Sequence, residues 1–332
     1  MNIKEIAKLA GVSVATVSRV INNNPNVSSA SKEKVLSVMA ENNYTPNLFA
    51  RGLNTKSINT VGILCPDIGD VNHARTVSSL EHSLRDRGYD VLLCCTGRQS
   101  KSTHEYLHLL SDKRVDAIFM VGCAGEEDPE LSEYQKSGKR VPLIIVNGYL
   151  DLPGVYCVLC DERTAMCDMV KELFERGCRN MAFIEDSDTY SAYQKRQGFL
   201  DGIKLCGLAP NPKLHIRIDP FVQSELFCTK SIFSQLFEAG EKIDAILAAD
   251  DILAVGALQA MVQAGRSFPI IGFNNSEHAV CCTPALTSMD NRIDVQCNIA
   301  VETMLDILQG KDAIDKLVVS AKLEERETYR RE

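Results

Sequence analysis

Two short patterns in this chain have the spacing of reactive or metal-binding sites. His104-Glu105-Tyr106-Leu107-His108 spells HExxH. On a helix the two histidines share one face, and the glutamate beside them could serve a zinc-bound water as base. A zinc site needs a third ligand, and the residues that follow, Leu109, Leu110, Ser111 and Asp112, form no metal-binding continuation. The segment reads instead as an amphipathic helix with Leu107 and Leu110 packed inward. Cys157-Val158-Leu159-Cys160 is a CxxC in a strand-like run. Period two turns its thiols to opposite faces, and no helix N-terminus is expected after it to lower a thiol pKa. No phosphate-cradling glycine loop and no GxSxG occurs, and no set of acid, base and nucleophile assembles. The expectation is no enzyme, no cofactor and no metal.

Binding chemistry is better supported, because charge is unevenly placed. The net charge is −8. Residues 1–56 hold seven cations (Lys4, Lys8, Arg19, Lys32, Lys34, Arg51, Lys56) and three anions (Glu5, Glu33, Glu41), a net of +4, which leaves −12 for the rest. A small basic head on an acidic body implies that only the head meets a polyanion.

Elements that could position such residues follow from capping and periodicity. Asn2 and Glu5 fit a capping box; Ile6, Leu9 and Ala10 mark an apolar face, and Gly11 ends the helix. Ser13 caps a second helix with Val17, Val20 and Ile21 inward. A third runs from about Ser31 to Asn43, with Val35, Val38 and Met39 inward. Gly11 between two short helices suits a helix-turn-helix. From Ile58 strands and helices alternate. Apolar strands are expected at Thr60–Cys65, Tyr89–Cys95, Val115–Val121, Leu143–Val146, Met181–Ile184, Leu214–Ile218, Ala245–Ala248 and Pro269–Phe273. Helical patterns fall at Val77–Arg87 and Tyr106–Leu110. Such strands belong to buried parallel α/β sheets, here in two lobes with a ligand cleft at the strand carboxyl ends.

The length of 332 residues suits two or three domains, and 45% hydrophobic residues can fill more than one core. No run approaches the ~18 apolar residues of a membrane span, and the N-terminus has no apolar signal region, so no membrane association and a cytoplasmic location are expected. The 13 cysteines, an odd count, read as reduced thiols.

Gly11-Val12-Ser13-Val14-Ala15-Thr16-Val17-Ser18-Arg19-Val20-Ile21-Asn22 resembles the N-terminal signature of the lactose-repressor (LacI/GalR) family of bacterial transcription regulators. The likeness continues through Asn43-Tyr44-Thr45-Pro46-Asn47, Ala50-Arg51-Gly52-Leu53, Lys113–Ile118, Ala249–Ala257 and Pro284–Ser288. It implies an all-α helix-turn-helix head at 1–45 and a hinge helix and linker at 46–57. Residues 58–332 would form a two-lobed sensor like periplasmic sugar-binding proteins, with lobe 1 at about 58–160 and 290–318 and lobe 2 at about 161–289 and 319–332. A homodimer would then bind a pseudo-palindromic double-stranded DNA operator as a ligand-controlled repressor of carbohydrate or related genes. A regulator answering to a protein co-effector, as in the catabolite-control branch, is the alternative. The tail at Leu323–Tyr329 lacks the apolar heptad of a tetramer.

On this resemblance Val14 and Ala15 would meet thymine methyls and Arg19 a guanine edge. Ser13, Thr16, Ser18 and Asn22 would hold phosphates. In the hinge, Asn47, Ala50 and Leu53 would enter the minor groove, with Leu53 as the wedge. Cleft positions carried over from the family are Asp67, Asn72, His73, Asn147, Ser191, Lys195, Arg196, Phe221, Asp250 and Asn274. Asn72 and His73 stand where relatives place an aromatic pair, and Asn147 and Asn274 where they place carboxylates. With two anions lost and the cation kept at Lys195, the expected effector is a polar, anionic sugar derivative such as a sugar acid or phosphate.

Overall fold

The computed structural model describes residues 1–21, 26–42, 44, 57–97, 102–122, 141–219 and 224–330. It divides into two compact units, Met1–Ile58 and Asn59–Glu332. In the first, helix α1 (Ile3–Ala10) starts where the Asn2 side chain accepts from the Lys4 and Glu5 amides while Glu5 accepts from the Asn2 amide. The capping box thus satisfies amides that have no partner within the helix. Gly11 takes a left-handed φ of 66° and turns the chain. Helix α2 (Val14–Ile21) follows at once, its Thr16 amide donating to Ser13 Oγ at 3.1 Å. Helix α3 (Ser29–Glu41) begins two residues before the position expected, because Ser28 rather than a later serine caps it by accepting from the Ser31 amide.

Ile6, Ala7, Ala10, Val17, Val20 and Val35 form the buried centre of this unit, with Val38, Met39 and Ile21 partly buried around it. Leu9 departs from expectation, being 57% exposed. At about 100° per residue the face that holds Ile6 and Ala10 includes Ala7, and Leu9 falls on its flank. The hinge residues 46–56 lie outside the described residues.

The second unit holds two six-stranded sheets. The first runs in the order β2 (Asp90–Cys95), β1 (Thr60–Cys65), β3 (Ala117–Val121), β4 (Leu143–Val146), β5 (Val155–Cys160) and β11 (Lys316–Val319), and every neighbouring pair is parallel. The second is β7 (His215–Arg217), β6 (Met181–Glu185), β8 (Ala245–Ala248), β9 (Ile270–Phe273), β10 (Thr287–Asp290) and β12 (Lys322–Glu324). Only β12 in that sheet runs antiparallel. The strands β1, β3, β4, β6, β8 and β9 are buried throughout, as sheets covered by helices on both faces require.

Helices α4 (Val71–Arg85), α5 (Thr103–Asp112) and α11 (Ile293–Leu308) cover the first sheet. Helices α6 (Glu162–Glu175), α7 (Tyr190–Leu205), α8 (Glu225–Glu238) and α9 (Asp251–Gln263), with the short α10 (Glu277–Cys281), cover the second. The chain therefore passes between the sheets near 161, 291 and 320.

The two reactive-looking patterns are absorbed by this packing. Leu107 and Leu110 of α5 are fully buried, while His104 and His108 face each other, Nε2 to Nε2, at 2.9 Å. Cys157 and Cys160 are both buried. A helix does follow them, contrary to expectation, since α6 begins at Glu162. Burial raises the Cys160 thiol nonetheless, and the Glu162 carboxylate raises it further.

Because the two units have separate cores, Ile6→Ala is expected to cost the first about 2–5 kcal/mol through the cavity it leaves. In scanning calorimetry the head transition should fall or vanish and the larger transition should stay in place; an equal shift of both would contradict separate cores.

Candidate functional site

In the first unit α2 presents a polar, accessible face. Ser13, Val14, Ala15 and Arg19 are exposed, and Thr16 and Ser18 are half-buried. Val17 and Val20 point into the core, so 14, 15, 18 and 19 lie together on the opposite side. The Ser13 and Thr16 hydroxyls are 2.9 Å apart. Asn22, Asn47, Ala50 and Leu53 lie outside the described residues.

The second unit contains a cavity of about 830 Å³. Its walls come from the ends of β1, β3, β4, β6, β8 and β9 and the segments after them, the carboxyl edges where α/β sheets hold ligands. Asn72, His73, Asn147, Ser191, Lys195, Asp250 and Asn274 all line it. Asn72 heads α4, which the Asp70 carboxylate caps by accepting from the amides of Asn72 and His73 at 2.9 Å. Its side-chain amide donates to Asp250 Oδ2 at 2.8 Å, from the first-sheet side of the cavity to the second. Asn274 Nδ2 donates to the same oxygen at 2.6 Å.

Asn147 and Asn274 are strand-end residues with φ of 56° and 93°. Asparagine adopts such left-handed corners more readily than most residues, which gives their amides a backbone reason alongside any ligand reason.

Two expected site residues stand elsewhere. Arg196 is not among the cavity walls: it donates to both oxygens of buried Glu185, at 3.0 and 3.1 Å, and His215 Nε2 lies 2.9 Å from the first of them. Asp67 turns its Oδ1 to the Gly69 amide at 2.8 Å and also lies off the walls. Phe221 is outside the described residues.

Lys195 does not play the expected role of a cation offered to the ligand. Its ammonium donates to the Ala249 carbonyl at 3.0 Å and to Asn274 Oδ1 at 3.3 Å, and stands 3.6 Å from Glu162 Oε1. Ser191 donates to that same Glu162 oxygen at 2.7 Å. Lys195 also sits 4.2 Å from the centre of the Phe273 ring. At 4% exposure, its ammonium is held by two hydrogen bonds and one ion pair within the protein.

The wall does not have the surplus of cations that the expected positive field requires. Among the described residues five carboxylates (Asp70, Asp186, Asp188, Glu225, Asp250) line the cavity with Arg75 and Lys195, and Asp188 is paired with Arg217. Arg75 is already paired with Asp294 at 2.6 Å. Asp186 is pushed up to about 6 by burial and then by the charges of Glu225 and Asp70, with Lys195 opposing. Burial likewise raises Asp250 well above the usual carboxylate range, and the charges of Asp251, Asp186 and Asp70 add to this.

Reading by resemblance missed Asp186, Asp188, Thr189 and Glu225. A signal was present: Asp186-Ser187-Asp188-Thr189 is a polar run directly after a buried strand, where ligand-binding loops belong.

Beneath Asp250 the strand–helix junction is fixed by its neighbour. Asp251 Oδ2 accepts from the Ser276 amide at 2.6 Å and its hydroxyl at 2.8 Å, while Oδ1 accepts from Ser288 Oγ at 2.6 Å. A Cβ at Gly272 would stand 2.2 Å from Asp251 Oδ1, so β9 can approach only as glycine.

Asp186 also makes stability depend on pH. Its folded-state pKa is raised, so its contribution is greatest below the unfolded value near 4 and is lost as pH rises through about 6. Asp186→Asn should therefore stabilise this unit at neutral pH by about 1–3 kcal/mol, with the gain vanishing near pH 4. Denaturant melts of the two proteins at both pH values would check this, and an equal difference at both would contradict it.

Comparison with known proteins agrees with this two-part architecture. The family model described as bacterial regulatory proteins, lacI family, matches residues 2–47. That of periplasmic binding proteins and the sugar-binding domain of the LacI family matches 59–330. An HTH-type transcriptional regulator of Lachnoclostridium phytofermentans is 41% identical over 99% of both chains. Catabolite control protein A of Priestia megaterium is 30% identical over 96% of both. The Lac repressor dimer, solved with operator and an anti-inducer, superposes with a TM-score of 0.86 over 99% of this chain and 98% of its own, at 22% identity, a likeness of fold. The chain belongs to the lacI family of bacterial transcriptional regulators, with a helix-turn-helix head and a two-lobed periplasmic-binding-protein-like sensor.

Proposed function

We propose that this regulator is a homodimeric, cytoplasmic repressor whose two heads take the halves of a pseudo-palindromic operator, and that a small molecule in the sensor cavity controls it. The observation that carries the reading is the cavity of about 830 Å³ bridged from one lobe to the other by Asn72 and Asp250. A molecule entering there competes for a hydrogen bond that joins the lobes. It can shift the protein between conformations only as far as it binds one better than the other. The same observation favours this reading over a regulator driven by a protein co-effector alone.

In this reading the exposed face of α2 enters the major groove. Val14 and Ala15 contact thymine methyls, Arg19 takes a guanine O6/N7 edge, and the hydroxyls of Ser13, Thr16 and Ser18 set register on phosphates. Leu53 wedges the central base step from the minor groove, with Asn47 and Ala50 beside it. The regulated genes would serve carbohydrate or related metabolism.

Operator sequences selected from random duplexes by the full chain should be near two-fold symmetric. On them Arg19→Ala should lose about 1–3 kcal/mol, confined to one guanine position per half. Uniform loss across all sequences would show a phosphate contact and sink the assignment. Leu53→Ala should weaken operator binding and reduce DNA bending while sparing nonspecific binding; a bend angle equal to the parent's would contradict the wedge.

A further inference from the structure

The effector's charge can be taken further than its entry into the cavity, an inference that rests on the small-molecule reading above. Among the described residues the wall carries more carboxylates than lysines and arginines. Among the described residues neither Asp186 nor Asp250 stands in an ion pair, and Glu225 opens α8 at the same wall. The wall's two cations are committed, Lys195 to Ala249, Asn274 and Glu162, and Arg75 to Asp294.

A separate observation concerns Asn291, which lines the cavity at 3% exposure. Its Nδ2 donates to Asn274 Oδ1, the oxygen that also accepts from Lys195, so the direction of the Asn291 amide is set. That leaves Asn291 Oδ1 buried without a hydrogen-bond partner. A buried acceptor without a donor is costly, and a ligand N–H or O–H would relieve it.

We propose that the effector carries a positively charged amino group on a hydroxylated body, such as an amino sugar, with the ammonium held by Asp186, Glu225 and Asp250 and a further donor reaching Asn291. Hydroxyls alone could satisfy Asn291. They would leave Asp186 and Asp250 without a counter-charge in a partly desolvated site, where unpaired charge is expensive. An anionic ligand would add to that cost.

The proposal fixes a pH dependence. Asp186 faces Glu225 on α8, Asp70 at the head of α4, Lys195 on α7 and Asp250 before α9. It titrates near 6, and an ammonium ligand favours its ionised form. Amine binding should therefore tighten as pH rises through that value, while binding of a neutral sugar gains nothing from it.

Calorimetric titration of the full chain with matched triads tests this: glucose, glucosamine and glucuronate, and the smaller ethylene glycol, ethanolamine and glycolate. The amines should bind at least about tenfold more tightly than their neutral partners near pH 7.5. The preference should shrink near pH 5.5 and weaken about tenfold in Asp186→Asn. Thermal melts would confirm that this variant is folded. Neutral members binding as tightly as amines, acids binding best, or an amine preference unchanged in folded Asp186→Asn would overturn the proposal and leave the small-molecule reading standing. No binding by any member at tens of millimolar would overturn both.

Discussion

One carboxylate oxygen joins the two halves of the sensor. Asp250 Oδ2 accepts from Asn72 at the head of α4 and from Asn274 at the end of β9, while Asp250 Oδ1 accepts from the Ile252 amide and starts α9. The same side chain therefore caps a helix, ties down a strand end and reaches the other lobe. Buried polar groups of this kind are stable only when each partner is satisfied, so anything that takes one partner away is felt by the others. Asn274 passes the effect on, since its Oδ1 accepts from Lys195 and Asn291. Through Lys195 the network ends at Glu162 and Ser191 on two further helices.

This chain of contacts needs a rigid base, which the second sheet provides. Asp251 spends both oxygens on Ser276 and Ser288, and the lack of a side chain at Gly272 lets β9 lie against it. The two adjacent aspartates thus divide their work: Asp251 fixes the second lobe internally, and Asp250 faces the cavity. Buried parallel strands on both sides put strand carboxyl ends at the cavity edge, so short loops carry the polar residues while the cores below stay apolar.

Much of the fold was legible because its signals are local. Thr60–Cys65, Leu143–Val146 and Ala245–Ala248 appear with the bounds that their apolar runs predict, and the Asn2–Glu5 capping box forms as its spacing requires. The weaker signals were short edge strands such as β12 (Lys322–Glu324), which is polar and half-exposed and has no apolar run to read. Leu9 shows a different limit: on an eight-residue helix one position of phase decides whether a leucine packs or faces water.

The site was legible in position but not in polarity. Residues carried over from the family fall mostly on the cavity wall, because the fold fixes where strands end. What each side chain does there depends on neighbours distant in sequence: Lys195 is neutralised by Glu162, Arg196 is drawn off by Glu185, and Asp186 gains its character from Glu225 and Asp70. Counting carboxylates at the family positions alone leaves out Asp186, Asp188 and Glu225, which also line the cavity.

If the proposed function holds, the state of the cleft is coupled to DNA binding through the Asp250 bridge. The direct measurement is fluorescence anisotropy of the full chain on its selected operator and on random-sequence DNA at one salt concentration, comparing the parent with Asp250→Ala. Coupling free energies of this kind amount to about 5–150-fold in affinity. Operator affinity is expected to change within that range, in either direction, with nonspecific affinity held constant. Operator affinity unchanged in a folded Asp250→Ala protein would contradict it.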